Sequence, residues 1–209
     1  MTTILVTGFG PFPGAPFNPT GPLAARLKRL RRPSLAEVTI VTHVFPTSYA
    51  AVDRDLPGLI ARHRPDVLLM FGLAARTPAL RIETRARNAL ALMPDAAGGS
   101  LPRASIRQGC ATTRPLPAPG RHLLAAARRA RLPVTLSHDA GKYLCNYLIW
   151  RGIEAAGNVG GPRLVAFVHV PAVPRTPRRR AKHRPRFSLQ ALTRAGAQVL
   201  MTLVSAARR

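Results

Sequence analysis

Residues 4–14, which read ILVTGFGPFPG, contain the first structural unit of the chain. Their first four residues are apolar or β-branched and predict a short strand, and the glycines and prolines that follow exclude both helix and regular strand. Leucines at helical spacing then follow Thr20, whose hydroxyl is suited to cap a helix, and Pro33 ends the pattern. The sequence therefore predicts a strand, a rigid loop and a helix, which together form one α/β unit.

The same alternation of strand and helix patterns continues to the end of the chain. Further strands are predicted at residues 38–45, 66–72, 81–90, 134–136 and 163–170, and further helices at 48–63, 122–131, 143–156 and 189–207. Between them, residues 94–120 are rich in glycine and proline and predict an extended excursion. Strands alternating with helices are typical of a three-layer α/β/α sandwich with a mostly parallel or mixed central sheet. We expect one domain over residues 1–209, because no linker or internal repeat interrupts the pattern.

Composition narrows the class of protein. The chain has 209 residues, of which 46% are hydrophobic, enough to bury a substantial core. The longest apolar runs are strand-sized and predict no transmembrane helix, and the first residues carry no basic signal-peptide region, so we expect a cytoplasmic protein. Cys110 and Cys145 lie too far apart for a CxxC pair, which argues against a zinc site or a disulfide scaffold.

The charge is strongly basic. The formal net charge is +24, and all but three of the 32 basic residues are arginine. The positive electrostatic field of such a charge attracts phosphate polymers. An arginine- and alanine-rich composition is, however, equally expected from a GC-rich genome. Residues 174–186 place seven lysines and arginines between prolines and predict a basic loop. A nucleic-acid-binding protein that grips phosphates with this loop is therefore one alternative, although no aromatic residues are interleaved for stacking on bases.

Three residues have the chemistry of a nucleophilic site. Cys145 lies in the first turn of a predicted helix, where the helix dipole favours a thiolate. His169 ends a predicted strand, at the sheet edge where α/β enzymes place their sites, and Glu83 lies on another strand. A buried structural cysteine, a core histidine and a surface ion pair are the alternatives for each residue alone. Together they supply the nucleophile, base and orienting group that acyl transfer requires.

Four sequence blocks that flank these residues occur in one order. They are Gly8-Phe9-Gly10-Pro11-Phe12 with Asn18-Pro19, Gly72-Leu73-Ala74 leading to Glu83 and Ala86-Arg87-Asn88, Ala140-Gly141-Lys142-Tyr143-Leu144-Cys145-Asn146, and Val168-His169-Val170-Pro171. These blocks resemble the pyroglutamyl peptidase I (pyrrolidone-carboxylate peptidase) family of cysteine peptidases over residues 2–207.

The resemblance implies a function and a site. By it Cys145 is the nucleophile, His169 the general base and Glu83 the residue that orients the base. It further implies a bacterial-type cytoplasmic hydrolase that removes N-terminal pyroglutamate from peptides without metal or cofactor. The implied fold is the α/β/α sandwich seen in purine nucleoside phosphorylases, and homo-oligomers, dimers or tetramers, are usual in the family.

The resemblance also implies a binding pocket for the pyroglutamyl ring. The ring is an uncharged lactam, so its pocket should have apolar walls and a few hydrogen-bonding groups. Phe9 and Phe12 match phenylalanines that flank the ring in the family, with simple core packing as the alternative. Tyr143 and Leu144 match further lining positions, and Leu73 stands where the family usually has a glutamine that contacts the substrate.

A second departure from the family pattern concerns the reaction itself. The family usually has an arginine near the scissile carbonyl, whereas this chain has Leu92 and Met93 at the two candidate positions. We therefore expect weak turnover, unless Arg85 or Arg87, which strand alternation places on the same face as Glu83, replaces the missing donor. A diverged relative that cleaves another small amide, or only binds a ligand, is the remaining alternative.

Overall fold

The computed structural model describes residues 1–174 and 187–209, and within them eight strands and five α-helices. The strands are β1 (Thr2–Phe9), β2 (Val38–Phe45), β3 (Val67–Leu73), β4 (Leu80–Glu83), β5 (Arg85–Arg87), β6 (Thr113–Pro115), β7 (Val134–Ser137) and β8 (Leu164–Val170). The helices are α1 (Thr20–Lys28), α2 (Tyr49–His63), α3 (Gly120–Arg128), α4 (Leu144–Ala156) and α5 (Leu189–Ala207).

Six of the strands form one mixed sheet in the order β2-β1-β3-β8-β4-β7. All neighbours in it are parallel except β4 and β8, which pair antiparallel. The central strands β1, β3 and β8 are almost continuously apolar because helices cover both faces of the sheet. This confirms the predicted α/β class with a mixed central sheet.

Alternate residues of the central strands enter two separate cores. Val6, Leu69 and Val168 point to one side, where they pack with α1, α3 and α5. Leu5, Leu68 and Phe167 point to the other side, where they pack with α2 and α4. The strand period of two thus fixes which side chains reach α4, the helix that contains Cys145.

Two local predictions were wrong. Residues 81–90 do not form one strand, because β4 joins the six-stranded sheet whereas β5 pairs with β6 in a separate two-stranded antiparallel sheet. Thr84 lies at the break, and its hydroxyl donates to the carbonyl of Ser137 at 2.9 Å. Thr20 does not cap α1 but is its first residue, and its hydroxyl donates to the carbonyl of Phe9 at 3.0 Å. Both hydroxyls thus serve tertiary contacts that local sequence does not reveal.

Candidate active site

Glu83 and His169 meet across the one antiparallel pair of the six-stranded sheet. In that pair Glu83 lies opposite Phe167, one diagonal step from His169, and both side chains point toward α4. The Glu83 Oε1 atom lies 2.7 Å from Nδ1 of His169, and both residues are buried. The carboxylate therefore accepts a hydrogen bond from Nδ1–H and leaves Nε2 of the imidazole for another partner.

Cys145 supplies that partner from the first turn of α4. The helix begins after Tyr143, which has extended backbone geometry, so Cys145 is its second residue. Amide groups of a first helical turn have no intrahelical acceptor and create a positive local field that stabilises a thiolate. The Cys145 side chain lies close enough to His169 to raise the pKa of the imidazole, which extends the contacts of His169 from Glu83 to Cys145.

Three effects act on the protonation of His169. Burial disfavours the imidazolium and is the largest single effect, but it is outweighed by the charges of Cys145 and Glu83 and by the hydrogen bonds from both. The net result raises the pKa of His169 from 6.5 to about 9. A pKa of about 9 keeps His169 as the imidazolium at neutral pH.

Gly72 provides the space that the Cys145 sulfur occupies. It is paired with His169 in the register of β3 and β8. A Cβ atom at this position would lie 2.7 Å from Sγ of Cys145 and 2.6 Å from the Phe167 ring. Only a residue without a side chain allows the thiol to approach the sheet here.

The residues predicted to line the pocket differ in exposure. Phe9 is only 3% exposed and packs against Phe45, with ring centroids 6.1 Å apart. Phe12 is half-buried on the loop after β1, where its backbone pairs with Ala15. Leu73, at the end of β3, is also half-buried. Phe12 and Leu73 therefore retain surface for a ligand, whereas Phe9 is mostly a core residue.

Tyr143 and Leu144 precede the cysteine and point to different surroundings. The Tyr143 hydroxyl donates to the carbonyl of Pro94 at 3.0 Å, and its ring meets Tyr49 edge-on at 5.9 Å. Leu144 is 2% exposed and belongs to the core beneath α4. Tyr143 thus fastens the loop around Pro94 beside the site, while Leu144 anchors the helix.

This geometry can be compared with known proteins. The family model described as "Pyroglutamyl peptidase" matches residues 2–207. The chain belongs to the pyroglutamyl peptidase family.

Relatives and solved structures agree with this family membership. The pyrrolidone-carboxylate peptidase of Pyrococcus furiosus is 30% identical over 82% of this chain and 81% of the relative. That of Deinococcus radiodurans is 31% identical over 82% and 79%. The pyrrolidone carboxyl peptidase structure from Thermococcus litoralis has a TM-score of 0.85 at 26% identity, covering 97% of this chain and 94% of that one. The Bacillus amyloliquefaciens pyroglutamyl peptidase I structure, at 24% identity and a TM-score of 0.83 over 98% of each chain, shares the fold.

The two positions at which the family arginine is expected are on the surface. Leu92 is 78% exposed and Met93 is 52% exposed, just before the segment that Tyr143 holds. The strand breaks between Glu83 and Arg85, so the alternation that predicted a shared face for Arg85 and Arg87 with Glu83 does not continue through this segment. Arg85 is exposed, and Arg87 donates to Asp139 at 2.9 Å.

Sequence reasoning missed the supporting roles of three residues. Gly72 and Asn146 lie within the sequence blocks that resemble the family. That position indicated a role near the site, but the sequence did not indicate what the role is. Asn146 is fully buried and joins α4 to β5 by accepting from the Arg87 amide and donating to two nearby carbonyls. Arg81 lies two residues before Glu83. Its Nε atom lies 3.3 Å from Oε1 of Glu83.

Other sequence features lie away from these contacts. Cys110 is a free, half-buried thiol near the Arg114 guanidinium, 3.7 Å away. Of the predicted basic loop at residues 174–186, all but the first residue fall outside the described residues. In the described part of the chain, no three His, Cys, Asp or Glu side chains are grouped to hold a metal ion. None of the described helices is long and apolar enough to cross a membrane.

Proposed function

We propose that this protein is a cysteine peptidase that removes N-terminal pyroglutamate from peptides. The observation that carries the proposal is the contact chain of Cys145, His169 and Glu83 at the N-terminus of α4, in a chain that belongs to the pyroglutamyl peptidase family. Cys145 is the nucleophile, His169 the general acid and base, and Glu83 the group that orients the imidazole. Acyl transfer uses these three groups in these roles.

The first half-reaction forms a thioester. The Cys145 thiolate attacks the carbonyl carbon of the pyroglutamyl residue, which gives a tetrahedral intermediate with a negative oxygen. When the carbon–nitrogen bond breaks, the His169 imidazolium gives its proton to the departing peptide amine. Glu83, hydrogen-bonded to Nδ1, keeps the ring oriented while its charge changes.

The second half-reaction regenerates the enzyme. His169, now neutral, takes a proton from water, and the resulting hydroxide attacks the thioester carbonyl. The carbon–sulfur bond then breaks, which releases free pyroglutamate and restores the thiolate–imidazolium pair.

Backbone amides of the first turn of α4 are the available donors for the negative oxygen. The amides of Leu144 and Cys145 belong to that turn and have no intrahelical acceptors. Donors of this kind stabilise an oxyanion without any reorganisation during the reaction. They supply a basal rate in a chain that lacks the arginine of the family.

The ring pocket is formed, in this proposal, by Phe12, Leu73 and Tyr143, with Phe9 behind them. Phe12, Leu73 and Tyr143 retain exposed surface. Leu73 follows Gly72, which lies against the Cys145 sulfur, and Tyr143 lies two residues before Cys145. The Leu144 side chain supports the pocket from the core rather than lining it. Apolar walls suit a lactam that has no charged amine.

A fluorogenic amide assay tests the proposal. The protein should release the fluorophore from a pyroglutamyl amide and leave the matching alanyl amide intact, because the alanyl substrate carries a charged amine in place of the lactam. Equal rates on both amides, or no release from the pyroglutamyl amide, would contradict the proposed activity.

Three further properties belong to the proposal. We place the protein in the cytoplasm, since both cysteines are free thiols and thiolate catalysis suits a reducing compartment. We propose a single domain that assembles into a dimer or tetramer, as the family resemblance implies, which light scattering can measure. Weak, non-specific binding to polyanions follows from the net charge of +24.

A further inference from the structure

Arg81 contacts both the carboxylate that orients the proposed catalytic base and the segment that precedes the proposed nucleophile. It lies directly opposite His169 in the pairing of β4 with β8, and it shares a face of β4 with Glu83. Its Nε atom lies 3.3 Å from Oε1 of Glu83, the same oxygen that contacts His169. The Glu83 side chain is completely buried, whereas that of Arg81 is 27% exposed.

The far end of the same guanidinium binds a different part of the chain. It donates to the hydroxyl of Ser137, at the end of β7, and to the carbonyl of Asp139. Asp139 lies in the short connection that leads into α4, the helix whose second residue is Cys145. One planar side chain therefore joins the carboxylate that orients the base to the segment that delivers the nucleophile.

We propose that Arg81 is a positioning residue of the catalytic site, one that holds the Glu83 carboxylate against His169 and couples it to the loop before Cys145. This inference rests on the proposed function of the Cys145, His169 and Glu83 contacts. Arg81 acts through Glu83 and the loop, and it does not itself touch substrate.

Charge balance gives Arg81 a second effect. When Cys145 is a thiolate and His169 an imidazolium, these two groups form with the Glu83 carboxylate and the Arg81 guanidinium an alternating row of four charges whose sum is zero. Without Arg81, the buried group carries one net negative charge, which favours protonation of the thiolate and strengthens retention of the imidazolium proton. Loss of the guanidinium should therefore move both limbs of the pH dependence to higher pH.

Other charged groups surround this row, and they set the background for any pH measurement. Besides the four members, the titratable or charged side chains beside it in the described residues are Tyr143 before Cys145, Asp139 and His138 on the loop after β7, and Arg87 on β5. Burial, together with the charges of Asp95 and Cys145, raises the pKa of Tyr143 above 10.0. Asp139 is already paired with Arg87, and its pKa is lowered: burial raises it, but the Gly141 amide, Arg87 and Arg81 together outweigh burial. Asp139 therefore remains a carboxylate on the acid limb, and its charge does not change there.

The experiment measures the alkylation rate of Cys145 by iodoacetamide against pH, in a Cys110→Ser background. This rate depends on the fraction of Cys145 that is ionised and does not require peptidase activity. The test of Arg81 therefore remains valid even if the proposed substrate is wrong. In Arg81→Gln the alkylation profile should shift by roughly 0.5–1 pH unit to higher pH, from loss of one nearby positive charge. The matched control is Arg85→Gln, which removes an equal charge from an exposed side chain and should leave the profile in place.

Turnover of the pyroglutamyl amide gives the second measurement. Arg81→Gln should lower kcat at least about tenfold with little change in KM, since Arg81 positions the reacting groups without binding substrate. Arg81→Lys keeps the charge but loses the two-ended contact, so its pH profile should match the parent while its kcat stays reduced.

Several outcomes would overturn the inference. They are an Arg81→Gln profile that superimposes on the parent, an equal shift in Arg85→Gln, or an Arg81→Lys variant with full kcat or a shifted profile. Unfolding measurements accompany each variant, and if Arg81→Gln does not fold, Arg81→Lys alone decides between these outcomes. Failure of the parent on pyroglutamyl amide with a normal alkylation shift would reject the substrate and leave the role of Arg81 standing.

Discussion

Gly72 is the residue at which the smallest change in volume should have the largest effect on activity. In Gly72→Ala the new methyl group would lie 2.7 Å from the Cys145 sulfur and 2.6 Å from the Phe167 ring, so the thiol must move. Displacing a reacting atom by about 1 Å costs about 10²-fold in rate, and we expect a loss of kcat of at least that size on a pyroglutamyl amide.

The control for this prediction is Gly58→Ala. Gly58 is exposed within α2, and a Cβ atom there would meet nothing within 4 Å. That change should leave kcat unaltered and stabilise the helix by about 0.5–1 kcal/mol. Full activity in Gly72→Ala would show that the sulfur is not held against the sheet.

Leu92 and Met93 allow a test in the opposite direction, a gain of activity. Loss of one oxyanion donor typically costs about 10²–10³ in kcat, and neither side chain can donate a hydrogen bond. Both are exposed beside the segment that Tyr143 holds, so a longer side chain can be accommodated at either position. We expect Leu92→Arg or Met93→Arg, made separately, to raise kcat on the pyroglutamyl amide.

One combination of results would contradict this prediction. If both variants leave kcat unchanged while Arg85→Ala or Arg87→Ala abolishes turnover, the donor comes from β5. The exposure of Arg85 and the contact of Arg87 with Asp139 argue against that outcome.

At the residue scale, the reactive residues were easier to predict from the sequence than the residues that hold them in position. Cys145, His169 and Glu83 were selected from residue type, position and resemblance, and the structure brings their side chains together, although their catalytic roles remain predictions. The role of Arg81 depends on Ser137 and Asp139, more than 50 positions away. Only the pairing of β4 with β7 brings those residues together, and no local pattern encodes that pairing.

At the scale of elements, the position of α4 depends on one buried amide. Asn146 accepts from the Arg87 amide at 2.8 Å and donates to the carbonyls of Arg87 and Ala89. Asn146→Ala would leave these buried backbone groups without partners, which should lower the free energy of unfolding by about 1–3 kcal/mol. Because Cys145 is the preceding residue, kcat should fall as well. Chemical denaturation and the amide assay measure the two effects.

Asn158→Ala is the matched control for that variant. Asn158 is exposed on the loop after α4, so its loss should change neither stability nor kcat appreciably. If the free energy of unfolding of Asn146→Ala lies within about 0.5 kcal/mol of that of this control, the helix is held by its apolar face alone.

Two elements were predicted with the bounds that the structure has, because their patterns are strong. The strand at 38–45 coincides with β2, which is rich in β-branched residues, and the helix at 189–207 coincides with α5, whose pattern is amphipathic. The prediction of one strand at 81–90 was wrong. The alternation of charged and small residues continues across Thr84, although the chain leaves one sheet for another at that residue. Local alternation reports exposure and carries no information about which sheet a segment joins.

For the whole molecule, the charge makes a separate prediction. Fluorescence anisotropy with random duplex DNA should show weak binding that disappears between about 50 and 200 mM salt, because non-specific arginine contacts release counterions. A variant with the three consecutive arginines at 178–180 changed to glutamine should show a weaker salt dependence. Sequence-selective binding that survives the higher salt would instead support the nucleic-acid-binding alternative.

The central claim is that Cys145 is the nucleophile of a pyroglutamyl peptidase. The most direct test compares Cys145→Ser with Cys110→Ser on a pyroglutamyl amide, with both variants confirmed as folded. Cys145 lies at the start of α4 in contact with His169, whereas Cys110 is a half-buried thiol beside Arg114. We predict that Cys145→Ser abolishes turnover and that Cys110→Ser retains it. Full activity in Cys145→Ser would contradict the claim.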